Sequence, residues 1–247
     1  MKPIQLARNA FKMKRPSFFF LCFLLFFPLV QAWLYFVLMA NWNPTIQKSM
    51  YALTKTVMLA VPVIYTFFAT KERLRPRPFN KRGLLEGNLF GAGILAAICL
   101  LYFFWLKPIG LIGPETPVAD AIRERVKAFD LTSPAMFVLF GIFVSLIHSA
   151  LEEYYWRWFT FGQLSRTIPQ TAAIVVSGLG FMLHHVVILG VYFQFNHPAT
   201  WLFSSAVAVG GMYWAWLYAR KNSIYASWLS HAWIDVAIFI VGYDILF

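Results

Sequence analysis

Seven apolar runs, each close to the length needed to cross a bilayer, constrain this chain more than any other feature. They cover residues 17–40, 51–70, 88–106, 135–156, 170–195, 199–219 and 223–246. A helix needs about 20 predominantly apolar residues to span the hydrocarbon. A backbone in lipid must satisfy its own hydrogen bonds, so such runs fold as helices rather than open strands. The expected class is therefore all-α, a polytopic membrane helix bundle of about seven spans, or eight if the 107–134 connection hides a further helix. Charged residues make up only 13% of the chain, against roughly 25% in soluble domains.

The first run follows a basic segment (Lys2, Arg8, Lys12, Lys14, Arg15) and is too long for the apolar core of a signal peptide. It reads as the first span. The net charge of +11 would point to nucleic acid in a soluble protein. Here the basic residues form short clusters between apolar runs, which fits anionic lipid and topology control, so membrane lipid is the expected partner and nucleic acid is not. With the N-terminus in the cytoplasm, one side collects those five residues, Lys71 to Arg82, Arg157, Arg166, Arg220 and Lys221. The other side collects Lys48, Lys107, Arg123, Arg125 and Lys127. The excess predicts an N-terminus inside, a C-terminus outside and a multi-pass protein of the plasma (inner) membrane. VADAIRERVKAF (118–129) reads as an amphipathic surface helix. Cys22 and Cys99 lie inside apolar runs and form no metal or disulfide motif. Gly210-Gly211 reads as a point of close helix packing.

Ionisable residues at membrane depth are costly and mark function. The first three spans contain only Lys55, whereas the last four contain His148, Glu152, Glu153, His184, His185, His231, Asp235 and Asp244. The chemistry is therefore sought in residues 135–247, with 1–134 as supporting helices and loops of one membrane unit. Residues at i and i+4 share a helix face. Glu153 and Arg157 form such a pair, so Arg157 neutralises Glu153. Glu152 points about 100° away, shares its face with His148 and has no lysine or arginine at helical spacing. It is the freer carboxylate and the better general base, because desolvation makes a carboxylate hold a proton more tightly. His231 and Asp235 are a second i, i+4 pair, in which a carboxylate can fix an imidazole's tautomer. Phe181 lies on the face of both His184 and His185, so spacing does not choose between those two. At 1.5 Å per residue, Glu152, His231 and His185 lie about 18, 15 and 24 Å from the cytoplasmic helix ends, and can meet near mid-membrane.

At these residues the sequence resembles the CPBP family, which comprises the type II CAAX prenyl endopeptidases and the Abi, bacteriocin-processing intramembrane proteases. The motifs are EExxxR, FxxxH and HxxxN or HxxxD on successive spans. The chain reads Glu152-Glu-Tyr-Tyr-Trp-Arg157, Phe181-Met-Leu-His-His185 and His231-Ala-Trp-Ile-Asp235. The resemblance covers residues 135–240. It implies an intramembrane endopeptidase, a hydrolase of membrane-associated proteins or peptides, with lipidated substrates in the CAAX branch; the substrate class stays open. It implies Glu152 as the base on a water molecule, His185 assisting, His231 and Asp235 stabilising the oxyanion, and Glu153 and Arg157 holding the helix end. His185 is preferred to His184 by the motif alone. Asp235 departs from the asparagine usual in prenyl endopeptidases: it is either protonated or it orients His231 and leaves the donor role to that ring.

The catalytic type lies between glutamic and metallo. Glu152, His185 and His231, with His148 nearby, form a zinc-compatible set, but HExxH is absent and the ligands come from three helices, so a metal-free site is favoured and no cofactor is assigned beyond that possible zinc. A rhomboid-like site using Ser177 lacks GxSG, and Asp235 and Asp244 share one helix, which excludes a paired-aspartate protease. The rival readings are a transporter or proton relay, and a non-catalytic immunity or scaffold protein.

Overall fold

The structure is a computed structural model and describes residues 15–69 and 81–247. Most of the basic N-terminal segment and most of the 71–82 cluster lie outside these residues. The described chain is all-α. Its helices are α1 (Phe18–Leu38), α2 (Pro44–Phe68), α3 (Leu84–Leu106), α4 (Pro117–Ala128), α5 (Pro134–Leu164), α6 (Gln170–Phe193), α7 (Pro198–Lys221) and α8 (Ile224–Leu246).

Helix starts carry local signals. Ser17 accepts from the Phe20 amide at 3.2 Å, and Asn43 accepts from the Thr45 amide at 2.9 Å with Pro44 in the first helical position. Ser133, before Pro134, does the same for Met136 at 3.2 Å. These caps use side-chain oxygens for amides the helix leaves unpaired. They also explain why α2 begins seven residues before its apolar run: polar first turns are helical once capped.

Six of the helices, all but α4 and α7, are long and apolar enough to cross a membrane. The difference from the seven expected spans is α7. It is 24 residues long, but its composition is diluted by Thr200, Ser204, Ser205 and the glycine pair. Thr200 and Ser204 are fully buried. A helix shielded by its neighbours needs less apolar surface than one facing lipid. The packing of α7 against α6 is close: a Cβ on Gly178 would lie 2.9 Å from the Ala208 carbonyl oxygen, and one on Gly211 would lie 3.3 Å from the Gly178 Cα. Gly210 has no such neighbour, with Trp214 at 3.7 Å as the nearest group. Gly211 is therefore the close-packing glycine of the pair.

Ion pairs mark the two ends of the bundle. At one end Lys221, closing α7, pairs with Glu86 in the first turn of α3 at 2.5 Å. At the other, Lys107 reaches Asp244 at 2.6 Å, and the Tyr102 hydroxyl donates to the same carboxylate at 2.7 Å. Residues 81–86 and 221 thus share one face, and 107 and 244 share the opposite face. The amphipathic helix α4 lies at this second face. It is more than a surface helix: Arg123 donates to the Ile245 carbonyl at 3.2 Å, and Arg125 to the Phe36 carbonyl at 3.3 Å. Cations at these positions satisfy C-terminal carbonyls and complement the helix dipoles. Arg157, expected among the basic residues of a cytoplasmic segment, is instead fully buried. The reason is that α5 continues to Leu164 rather than ending near 156.

Gly178→Leu is expected to cost about 1–3 kcal/mol through overpacking and to lower the Tm in detergent. Gly210→Ala is expected to stay within about 0.5 kcal/mol of wild type. Thermal unfolding of the two purified variants checks this.

Candidate active site

The segment LEEYYW (151–156) on α5 ties four other helices together. The Tyr154 hydroxyl donates to the Leu59 carbonyl of α2 at 3.1 Å, and the Tyr155 hydroxyl to the Leu24 carbonyl of α1 at 2.8 Å. Trp156 stacks on His184 of α6, with centroids 5.8 Å apart and planes 8° apart. Glu152 and Glu153 both meet His231 of α8. Wider, π-helical turns at Val144–His148 and Tyr154–Phe161 flank the pair; such turns are frequent at functional sites.

Glu153 is fully buried, and so is Arg157. Their charges lie 3.2 Å apart. The guanidinium carbon sits over the ring of Phe181 at 4.5 Å and over that of Trp214 at 4.9 Å. Two aromatic faces and one carboxylate thus hold a cation deep in the protein. This pair lies in the core of the bundle and not at a helix end or interface. Glu153 also accepts from His231 Nδ1 at 3.0 Å. The carboxylate that fixes the ring of His231 is therefore Glu153, whereas Asp235 lies 3.7 Å from the other nitrogen, Nε2. Trp214 stacks on the same ring at 4.2 Å and anchors its own Nε1–H on Ser230 Oγ at 3.0 Å. His231 is immobilised from two sides.

Glu152 is nearly fully buried, yet it is not isolated. Its carboxylate faces three imidazoles: His148 Nε2 at 3.3 Å, His184 Nε2 at 3.7 Å and His231 Nε2 at 3.8 Å. With Nδ1–H directed at Glu153, a neutral His231 presents a lone pair on Nε2, and that lone pair faces two carboxylates. A proton shared among Nε2, Glu152 and Asp235 relieves the repulsion. The cluster is thus built to hold and relocate protons within a few ångströms.

Of the adjacent histidines, His184 is the one within ion-pair distance of Glu152. His185 sits beside it, ring centroids 4.2 Å apart, with Nδ1 2.9 Å from the Phe181 carbonyl. Phe181 forms the floor, with ring contacts to His184, His185 and His231 between 4.6 and 5.9 Å. Glu152, Glu153, Arg157, Phe181, His184, His185, His231, Asp235 and His148 therefore all converge. Two further residues were not singled out from sequence. Trp214 looks like one of ten tryptophans, and only the packing of α7 on α6 reveals its position. Lys55 of α2 lies within electrostatic reach of Glu152 and His184; its lone charge in the N-terminal spans was the available signal.

Among the described residues no three histidine, cysteine, aspartate or glutamate side chains are grouped so as to hold a metal ion. The candidate set Glu152, His185 and His231 does not fit one as it stands, since the histidine closest to Glu152 on α6 is His184 and His185 turns Nδ1 to a backbone carbonyl.

Residues 134–237, which carry every residue of the cluster except Lys55, match the family model described as type II CAAX prenyl endopeptidase Rce1-like. No curated protein and no solved structure matches the chain. These helices are similar to the CPBP family of intramembrane proteases, and six apolar helices long enough to cross a bilayer support an integral membrane protein.

Removing one member of the buried charge pair strands the other. Arg157→Met is expected to destabilise by about 3–5 kcal/mol. Adding Glu153→Gln is expected to recover part of that loss, because the two sites share one interaction. Thermal unfolding of the single and double variants measures the coupling; additive losses would mean the pair is not coupled.

Proposed function

We propose that this CPBP-like chain is an intramembrane endopeptidase in which Glu152 activates water to hydrolyse a peptide bond of a membrane-associated protein or peptide. The single observation behind this is the Glu152 carboxylate, nearly fully buried in a membrane helix bundle and faced by His148, His184 and His231 at 3.3–3.8 Å. A carboxylate in such surroundings is poised to take a proton from water, and the surrounding imidazoles stabilise or relay it.

In the proposed reaction Glu152 accepts a proton from water while the oxygen attacks the scissile carbonyl carbon. The resulting tetrahedral oxyanion is stabilised by His231 in its doubly protonated form, which keeps Nδ1–H on Glu153 and turns Nε2–H to the site, and by a protonated Asp235. The C–N bond then breaks and the proton held by Glu152 passes to the departing amine. His185 assists in the family's pattern; His184, nearer to Glu152, shares the role of steadying that carboxylate. Glu153, Arg157 and Trp214 position His231. An apolar groove of about 220 Å³ runs between α5 and α8, lined by Phe137, Gly141, Ser145, Val236, Phe239 and Tyr243. It ends beside the site, since Ser145 is one turn from His148 or Ser149 and Val236 adjoins Asp235. The orientation we infer has the N-terminus in the cytoplasm of the plasma membrane, with cleavage from the cytoplasmic side.

Glu152→Gln and Glu152→Ala are expected to retain the fold and to lose cleavage of a lipidated CAAX-like peptide by about 10²–10⁴-fold, the contribution of a general base. Assays of purified wild type and variants in detergent, with and without a chelator, measure this. Variants that cut as fast as wild type would rule out the mechanism, and loss of wild-type cleavage on chelation would convert it to a metal-dependent one.

A further inference from the structure

Ser145 carries a hydroxyl that the hydrolytic scheme does not use. It is 2% exposed, and among the described residues its Oγ has no hydrogen-bond partner. A hydroxyl inside a helix can donate to the carbonyl one turn back. Thr54, Thr56, Ser149 and Ser165 all do so, at 2.5–2.9 Å. Ser145 receives the Ser149 hydroxyl on its own carbonyl but makes no such bond with its side chain. An unpaired buried hydroxyl opposes folding, and alanine at this position would remove that cost. Neither do the surroundings close over it. Ser145 lies in the wide turn Val144–His148 and forms part of the wall of the groove between α5 and α8, with Phe137, Val138, Ile142 and Val236. The two helices are pinned on both sides of it. Before it, a Cβ on Gly141 would lie 2.8 Å from the Phe239 ring; after it, the Trp228 Nε1–H donates to the Leu146 carbonyl at 2.9 Å. An unpaired polar atom is therefore held in an apolar wall, three residues before His148, which faces the reacting carboxylate.

We infer that Ser145 is a substrate-binding residue whose Oγ accepts a hydrogen bond from a main-chain amide of the peptide, about three residues from the scissile bond. This rests on the protease reading of the site. Ser145 and Glu152 are seven residues apart on α5, which is about two turns and roughly 10 Å along the helix. An extended peptide advances about 3.3 Å per residue, so it covers that distance in about three residues. The chemistry is complementary. Apolar walls offer a peptide no acceptor for its N–H groups, and a buried N–H is left unpaired more rarely than a carbonyl, which has two lone pairs. One hydroxyl oxygen in such a wall meets that need. Binding also pairs the hydroxyl, and so relieves a cost that folding leaves in place.

The test uses the purified full chain and a fluorescent, lipidated CAAX-like peptide, with analogues in which each amide except the scissile one is replaced in turn by an ester. Binding is read by anisotropy on the Glu152→Gln variant, and cleavage on the active chain. One ester is expected to bind about 3- to 10-fold more weakly than the parent peptide, the size of one neutral hydrogen bond. Adding Ser145→Ala should weaken the parent by the same factor and leave that ester unaffected, because the two changes remove one interaction. Since the hydroxyl has no partner within the protein, Ser145→Ala alone should melt at or above the wild-type Tm. Equal binding of the parent and every ester overturns the inference, as does equal weakening of parent and esters by Ser145→Ala. A Tm below wild type overturns it too, by placing the hydroxyl in an internal bond. Ester-sensitive binding that Ser145→Ala removes, with no cleavage of any peptide, would uphold the Ser145 contact and refute the protease reading instead.

Discussion

The arrangement depends on one buried ion pair. Glu153 and Arg157 are both fully buried, and removing either partner of such a pair leaves a buried charge uncompensated. Phe181 and Trp214 cover the guanidinium, and His231 meets the same carboxylate oxygen, Oε1, as the arginine. Three helices other than α5 are drawn together in doing so: α6 brings Phe181, α7 brings Trp214, and α8 brings His231. Burial of this kind adds little net stability, but it makes one packing of the helices much better than its alternatives. The cluster around Glu152 inherits its geometry from that packing.

A division of labour between adjacent carboxylates follows. Glu153 meets a cation and a ring through one oxygen, Oε1, and is fully buried. Glu152, one residue earlier and rotated by about 100°, meets only imidazoles. These are groups that can donate or accept a hydrogen bond through either ring nitrogen. The environments, not the residue types, set the two glutamates apart. Both act on His231, one at each nitrogen, so the ring is a link between the structural centre and the reacting one.

Much of this was legible in the sequence, because helices in lipid satisfy their own backbone and show themselves as apolar runs, and because i, i+4 neighbours are fixed by helix geometry. Glu153 with Arg157, His148 with Glu152 and His231 with Asp235 are all found in contact. What was not legible arises between helices. The bond from His231 to Glu153 joins residues 78 positions apart, and nothing local predicts it, so orientation of that ring was assigned to Asp235. The choice between His184 and His185 depends on how α6 is rotated. The buried position of Arg157 depends on where α5 ends, and charge counting alone put it in a loop. Helix α7 shows the opposite effect: its diluted hydropathy reflects shelter by neighbours, a property of the fold rather than of the segment.

The neighbouring glutamates also make the helix register a matter of identity. Their roles differ only because successive side chains point in different directions from one helix. Deleting a single residue between Glu153 and Arg157 would place the arginine four positions after Glu152 instead of Glu153, giving the working carboxylate the counter-charge and taking it from the anchoring one. In such a stretch point substitutions can be graded in effect, whereas length changes cannot, so the spacing itself is the quantity that descent must preserve.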